Sequence, residues 1–266
     1  MKVFLLIISI FFFSKNLFAF EIIKGNFTQG SLIIGKEDPK KTVLINKKKI
    51  KISEQGYFVF GINYDQTGSV KVESIDNNNL KLMKSYKILK RKYDIQKIDG
   101  LPENMVTPSE EELKRIERDN ELIKQAKETD SNLSFFFNSF EKPLEGTLTG
   151  VYGSRRILNG QPRTPHFGID ISAPKGTPVK SSNDGIVRLS EKDLYFTGGT
   201  ILIDHGHGVS TVYSHLDEVL VKKDAAVQKG QVIGKVGATG RVTGPHLDFR
   251  INWFDIRIDP RLVLNY

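Results

Sequence analysis

Glycine and histidine are concentrated in one half of this chain, and that distribution limits what the half can fold into. Of the 23 glycines, 16 lie between Gly146 and Gly244, and all five histidines lie between His166 and His246. Dense glycine around short apolar segments predicts short antiparallel strands joined by tight turns. We therefore expect an antiparallel β domain here, and we expect the chemistry of the chain to be confined to it.

Residues 244–250, GPHLDFR, show how such a strand would present polar side chains. Because side chains alternate across a strand, His246 and Asp248 share one face, while Leu247 and Phe249 share the other. The segment thus offers an imidazole and a carboxylate on one face and an apolar surface, fit for a core, on the other.

The N-terminal half has a different pattern. Between Glu21 and about Lys97, short apolar segments are separated by glycines and by the polar residues 76–79. This spacing predicts a small β-sandwich, which we place at residues 20–100. The half contains no histidine, so we expect it to serve in packing or targeting.

A helical linker is predicted over residues 101–140. Thr107 is the expected N-cap, Pro108 the first helical residue, and Glu110 the partner that completes a capping box. The helix is expected to end near Thr129. Its thin apolar side is formed by Leu113, Ile116 and Ile123.

The first 19 residues have the pattern of an export signal. A basic start is followed by an apolar run over residues 3–13 and by the small residue Ala19, after which we expect cleavage. The alternative is a membrane anchor, but the run is about half of the roughly 20 apolar residues that a span needs. The chain has no cysteine, which excludes a disulfide framework and a lipid-modified cysteine.

The charge of the chain bears on its partners. The formal net charge of +8 becomes 8 − 2 = +6 when the two lysines of residues 1–19 are removed. Such an excess favours anionic lipid, acidic cell-wall polymers or nucleic acid, and export makes nucleic acid the least expected of these. The densest basic run, residues 46–49, either binds a polyanion or forms a solvated hairpin.

The histidine-bearing segments contain donors for a metal ion. Zinc accepts imidazole nitrogen and carboxylate oxygen, and a catalytic zinc uses three protein ligands and a water. His166 and Asp170 can supply two ligands from a single bend, and a residue of GPHLDFR can supply the third.

These segments together resemble one family. The order H-x-x-x-D (His166 to Asp170), Y-x-H (Tyr213 to His215) and G-P-H-x-x (Gly244 onwards) is similar to that of zinc metallopeptidases of the lysostaphin/LytM type, peptidase family M23. The similarity covers about residues 146–262, and further matching segments are residues 152–156, 159–160, 173–179 and 236–240.

The resemblance implies antiparallel sheets around a groove in a domain at residues 141–266, a Zn2+ cofactor, and hydrolysis of peptide bonds in bacterial peptidoglycan. His166 and Asp170 match two zinc ligands of the family. His215 and His246 match the catalytic residues that flank the metal, and which of them is the general base stays open.

The third ligand of the family is a histidine, and this chain has Asp248 there. A carboxylate keeps the correct face and a zinc-binding atom, but a second anionic ligand makes the ion a weaker Lewis acid. The leading hypothesis is an exported zinc endopeptidase that cuts peptidoglycan cross-links in the periplasm. The alternative is a metal-poor, non-catalytic LytM-type regulator that binds peptidoglycan or activates another wall hydrolase.

Other residues receive weaker assignments. We expect His205 to be hydrogen-bonded to turn backbone and His207 to be an exposed turn residue. Three arginines that lie just before the first ligand, His166, either hold a substrate carboxylate or are surface charges: Arg155, Arg156 and Arg163. Because extra helices in this family sometimes lie across the groove, residues 103–129 are a candidate autoinhibitory segment.

Overall fold

The computed structural model of the protein describes residues 20–98, 109–158, 161–162 and 164–264. These parts are mainly β-strand with one α-helix, as expected. The predicted export segment, residues 1–19, lies outside the described residues. No helix in the described ranges is long and apolar enough to cross a membrane.

Within residues 20–98, eight strands precede the helix. They are β1 (Glu21–Lys24), β2 (Leu32–Lys36), β3 (Thr42–Ile45), β4 (Lys48–Ile50), β5 (Tyr57–Gly61), β6 (Ser69–Ile75), β7 (Lys81–Lys87) and β8 (Ile95–Ile98). Two small antiparallel sheets are built from them, in the orders β1-β2-β5 and β4-β3-β6-β7. The tight turn between β3 and β4 has positive φ at Asn46 and Lys47, and it carries the basic run out to the surface.

Twelve strands of the described chain follow the helix. They are β9 (Thr147–Gly150), β10 (Arg155–Leu158), β11 (Gln161–Pro162), β12 (Ile169–Ser172), β13 (Pro178–Lys180), β14 (Gly185–Leu194), β15 (Gly198–Gly206), β16 (Val209–Val219), β17 (Ala226–Val227), β18 (Val232–Val236), β19 (His246–Trp253) and β20 (Ile256–Ile258). The main sheet has the order β17-β14-β15-β16-β19-β12-β9, with β18 on β16, β13 on β18, and β20 on β19.

The two faces of the main sheet have different neighbours. Leu247 and Phe249 of β19 are fully buried in a core that also contains Ile33 and Phe58 of the N-terminal sheets. On the other face, antiparallel pairing places Val212 beside Arg250 and Ser214 beside Asp248. The alternation predicted for GPHLDFR is therefore confirmed, with the polar side chains opposite the core.

The N-terminal and C-terminal parts share more than a core. Strand β8 pairs in parallel with β10, so one small sheet, β11-β10-β8, contains strands from both parts. Arg91 also forms an ion pair with the buried Asp259, with 2.6 Å between Nη2 and Oδ2. The domain limits predicted from the sequence stay a prediction. The contacts described here join residues on both sides of the predicted limit near residue 140.

The helix α1 spans Glu110–Lys127, and its N-cap differs from the prediction. Ser109 is the N-cap and Glu112 completes the capping box, so the assignment of these roles to Thr107 and Glu110 was wrong. Thr107 and Pro108 lie outside the described residues. The residues from Ser109 to Glu112 have the same hydroxyl-to-carboxylate spacing as those from Thr107 to Glu110, so the capping box can form two residues further along.

Helix α1 packs on the same face of the main sheet that carries Asp248. Its residues Leu122, Ile123 and Ala126 contact a cluster formed by Leu189, Leu194, Leu202 and Val212. Val212 is the direct cross-strand partner of Arg250. The helix therefore forms a wall beside the candidate site, whereas Leu113, expected on the apolar side, is 51% exposed.

Candidate functional site

The three predicted metal ligands lie together. Asp170 on β12 and Asp248 on β19 are direct cross-strand partners, and His166 lies in the bend that leads into β12. One ligand atom from each residue can be chosen so that all three atoms lie within 4.8 Å of one another. The fold therefore assembles the imidazole and the two carboxylates that the sequence suggested.

The environment of His166 fits a bound cation. Its Nε2 is buried and has no hydrogen-bond partner, although it lies 3.3 Å from Oδ1 of Asp170. That separation is about the distance between two ligand atoms that each lie roughly 2.1 Å from a tetrahedral ion. Since an unpaired buried nitrogen costs free energy, the donor set suits a metal ion that these atoms would share.

Two glycines bring the backbone close to the carboxylates. A Cβ on Gly150 would lie 2.1 Å from Oδ2 of Asp170, and one on Gly168 would lie 2.8 Å from Oδ1 of Asp248. Both positions therefore require glycine for steric reasons, since real Cβ contacts are not so short. The close backbone keeps the two carboxylates near the bend that holds His166.

Asp248 is bound by a residue that the sequence analysis did not consider. The Nε of Arg250 donates to both carboxylate oxygens, at 2.9 Å to Oδ1 and 3.1 Å to Oδ2, and Nη2 also donates to Oδ2. Burial by itself would raise the pKa of Asp248, but the Arg250 charge and its hydrogen bonds outweigh burial and hold the pKa well below its usual range. Asp248 is therefore an anion at neutral pH. The available signal was the strand period, which puts residues 248 and 250 on one face.

The two predicted catalytic histidines adjoin the ligand set. The ring centroids of His215 and His246 are 4.8 Å apart, and Nε2 of His246 lies 3.8 Å from Oδ1 of Asp170. Nδ1 of His215 lies 2.9 Å from the carbonyl oxygen of Thr239, and Nδ1 of His246 lies 2.9 Å from that of Gly244. A carbonyl only accepts, so each Nδ1 carries the hydrogen and each neutral ring leaves Nε2 free to accept a proton.

His215 occupies an unusual backbone position. Its φ is 67°, and its N–H donates to the carbonyl oxygen of Thr197 at 2.8 Å. A positive φ is uncommon outside glycine and indicates a position held by its surroundings. Burial lowers the pKa of His215, so its ring is neutral at neutral pH.

The remaining histidines are structural. His205 is fully buried, and its Nδ1 donates to the backbone carbonyl of Asp184 at 2.7 Å, as expected. The prediction that His207 is exposed was wrong: it has φ 52° in a turn but is only 5% exposed, because its ring packs on Phe136. A polar turn in sequence does not show which neighbouring segment covers it.

The arginines considered for substrate binding are only partly described. Nε of Arg155 donates to the hydroxyl of Tyr64 at 3.1 Å, so this side chain contacts the N-terminal part of the chain. The side chain of Arg156 and all of Arg163 lie outside the described residues. The choice between substrate contact and surface charge therefore stays open for these two.

Comparison with known proteins shows which family the C-terminal part of the chain resembles. Residues 164–260 match the model of peptidase family M23. The chain is 47% identical over 87 residues to the peptidoglycan DD-endopeptidase ShyA of Vibrio cholerae. The matched segment covers 33% of this chain and 20% of that protein. It is 44% identical over 120 residues to ShyC of the same organism, also a peptidoglycan DD-endopeptidase, covering 44% of this chain and 27% of that protein. The chain thus spans about a fifth to a quarter of the length of these relatives.

A solved structure resembles nearly the whole chain. A Pseudomonas aeruginosa protein assigned to peptidase M23 matches with a TM-score of 0.68 and 29% identity, covering 90% of this chain and 95% of that one. The similarity of fold therefore includes the N-terminal sheets as well as the main sheet. Residues 164–260 of this chain, which carry the imidazoles and carboxylates described above, belong to peptidase family M23.

Proposed function

We propose that the protein is an exported, zinc-dependent endopeptidase that hydrolyses peptide cross-links in bacterial peptidoglycan. The two Vibrio cholerae relatives are named as peptidoglycan DD-endopeptidases, which supports this substrate class. The observation that carries the proposal is the buried, unpaired Nε2 of His166, which faces two carboxylates beside two further imidazoles.

His166, Asp170 and Asp248 would hold the ion. When bound, zinc supplies Lewis-acid polarisation of a peptide carbonyl and makes a water molecule more acidic. Asp248 offers oxygen in place of imidazole nitrogen, and its Oδ1 is the oxygen nearer the His166 bend, because it lies beside Gly168. The carboxylate is held in this orientation by Arg250.

His215 and His246 would handle protons. Each ring is fixed at Nδ1 by a backbone carbonyl, so the neutral form of each ring has Nε2 as its proton acceptor. One imidazole accepts a proton at Nε2 from the attacking water and then donates this proton to the leaving amine. The other imidazole stabilises the oxyanion when its own Nε2 is protonated. Their closeness allows one substrate group to contact both rings, and the assignment of the general base stays open.

The first test measures metal content and hydrolysis together. Purified mature protein is loaded with zinc, dialysed, and analysed for bound metal, and it is then incubated with purified sacculi whose released products are identified by mass spectrometry. We expect about one zinc per chain and soluble cross-link products. Asp170→Asn should lose both, whereas Asp217→Asn, the same change two residues after His215 and outside the ligand set, should keep both.

Two results would contradict the proposal. If the wild-type chain binds no zinc and releases no soluble peptides but still binds sacculi, the protein is a non-catalytic wall-binding regulator. If Asp170→Asn and Asp217→Asn behave alike, the assigned ligand set is wrong.

Export and removal of residues 1–19 belong to the same proposal. The side chain of Phe20, the first residue after the expected cleavage, is buried against Phe58, which suits a mature chain that begins there. The intact mass of the protein recovered from the periplasmic fraction should correspond to a chain that starts at Phe20. Recovery of the full-length chain in the membrane fraction would contradict this part of the proposal.

A further inference from the structure

The third predicted metal ligand, Asp248, forms an ion pair with Arg250. Three hydrogen bonds from one guanidinium reach the carboxylate, and Asp248 is only 3% exposed. The Arg250 side chain is 28% exposed, so water reaches it only in part. A cation is therefore already bound to the carboxylate that would serve as the third ligand.

The charges of the site explain why such a cation is present. Asp170 and Asp248 are direct cross-strand partners on one face, and two carboxylates that close together repel each other unless a positive charge lies nearby. Burial acts to lower the pKa of Arg250, but the charge and hydrogen bonds of Asp248, together with the charge of Asp170, outweigh burial and raise that pKa. Arg250 thus offsets the charge of both carboxylates in the folded protein.

The formal charge of this site can be compared with that of a site of two histidines and one aspartate. That ligand set has a formal charge of −1. Here one neutral imidazole, two carboxylates and one guanidinium also sum to −1. The extra negative charge that Asp248 brings to the ligand set is therefore balanced within the same strand, two residues away.

The two oxygens of Asp248 have different surroundings. Oδ2 accepts from both Nε and Nη2 of Arg250, whereas Oδ1 accepts from Nε alone and faces Gly168 in the bend between His166 and Asp170. Oδ1 thus accepts one hydrogen bond from Arg250 where Oδ2 accepts two, so Oδ1 keeps more of its capacity to bind an ion.

We propose that Arg250 competes with a metal ion for the third ligand, Asp248, and thereby lowers the affinity of the site for that ion. This inference rests on the proposed function, because it takes His166, Asp170 and Asp248 as the ligand set. The positive charge repels a divalent cation and competes with it for Asp248. Burial and the strand pairing of Asp248 keep the carboxylate near the site without Arg250, so the repulsion is the larger effect.

The test measures zinc affinity without measuring activity. Metal-free full-length mature protein is titrated with zinc against a chromophoric chelator at one pH and one ionic strength. Arg250→Gln should bind zinc roughly tenfold more tightly than wild type, or more, because a like charge is removed from the site. Arg250→Lys keeps the charge but cannot make the paired hydrogen bonds, so its affinity should lie between the two.

The chain offers a closely matched control. Arg188 is 27% exposed and pairs with the buried Asp204 at 3.1 Å, on the same sheet but outside the site. Arg188→Gln should therefore leave zinc affinity within about threefold of wild type. It reports any effect of losing a half-buried ion pair on the stability of the metal-free protein.

Each outcome decides the inference. Zinc affinity that is highest in Arg250→Gln, intermediate in Arg250→Lys and lowest in wild type supports the inference. If metal-free Arg250→Gln does not fold, the comparison of Arg250→Lys with wild type decides. Affinity in Arg250→Gln that is equal to or weaker than wild type overturns it while the proposed function stands. If neither wild type nor any variant binds zinc, the ligand set fails, and both this inference and the proposed function fail with it.

Discussion

His205 provides the most quantitative prediction because its surroundings fix its proton. Nδ1 donates to the carbonyl of Asp184, so in the neutral ring Nε2 accepts from the hydroxyl of Thr211 at 2.8 Å. The ring also meets the edge of Phe140, with 5.1 Å between centroids. Protonation would turn Nε2 into a donor, would force the Thr211 hydroxyl to reverse, and would place a charge in a fully buried position.

The magnitude follows from the pKa. Burial lowers the pKa of His205 from 6.5 to about 4, although the Asp184 carbonyl acts in the opposite direction. Between these values the unfolded chain binds a proton that the folded chain does not, so stability falls as the pH falls. The contribution of His205 to the free energy of unfolding is complete above pH 6.5 and is lost near pH 4. It amounts to about 3 kcal/mol, at roughly 1.4 kcal/mol per pKa unit.

The assay compares wild type with His205→Gln by urea unfolding at pH 7.5, 6.5, 5.5 and 5.0, with a chelator present so that metal binding does not contribute. Glutamine cannot titrate, so the free energy of unfolding should fall less steeply with acid in the variant. We expect the difference between the two proteins to shrink by about 1 kcal/mol per pH unit below pH 6. Parallel curves over the whole range would refute the reasoning.

Three further predictions concern the site and its supports. His215→Gln and His246→Gln should each lower kcat about 100-fold or more while one zinc per chain is retained, measured by sacculus digestion and metal analysis. Asp119→Ala should lower kcat several-fold at unchanged zinc content. Asp119 accepts a 2.8 Å hydrogen bond from the N–H of Tyr195, and Thr197, two residues later, accepts the N–H of His215. An unchanged kcat would contradict this prediction. Deletion of residues 20–98 should give an unfolded or aggregated protein by circular dichroism and gel filtration, not a more active one, because these residues contribute to the shared core.

The sequence predicted those features that depend on local chemistry. Alternation within GPHLDFR gave the correct face for His246 and Asp248, since a strand has no other way to bury Leu247 and Phe249. The bend between His166 and Asp170 was likewise readable, because three intervening residues that include a glycine can bring both ends to one ion. These predictions required only the period of a strand and the reach of a side chain.

The features that were missed depend on contacts between distant segments. The parallel pairing of β8 with β10 joins residues near 95 with residues near 155, and no local pattern specifies a partner 60 residues away. The burial of His207 depends on Phe136 in the same way. Arg250 was overlooked for a different reason: its position on the face of Asp248 was predictable, but the direction of a long side chain is set by the charges around it.

The N-terminal half is part of the scaffold of the site and not only an attached module. Tyr64 packs edge-on against Phe167, the residue after His166, with 5.4 Å between ring centroids. Asp119 of helix α1 accepts a hydrogen bond from Tyr195, in the segment whose Thr197 carbonyl accepts the N–H of His215. A change at Tyr64 or Asp119 would therefore reach His166 or His215 through the position of the backbone.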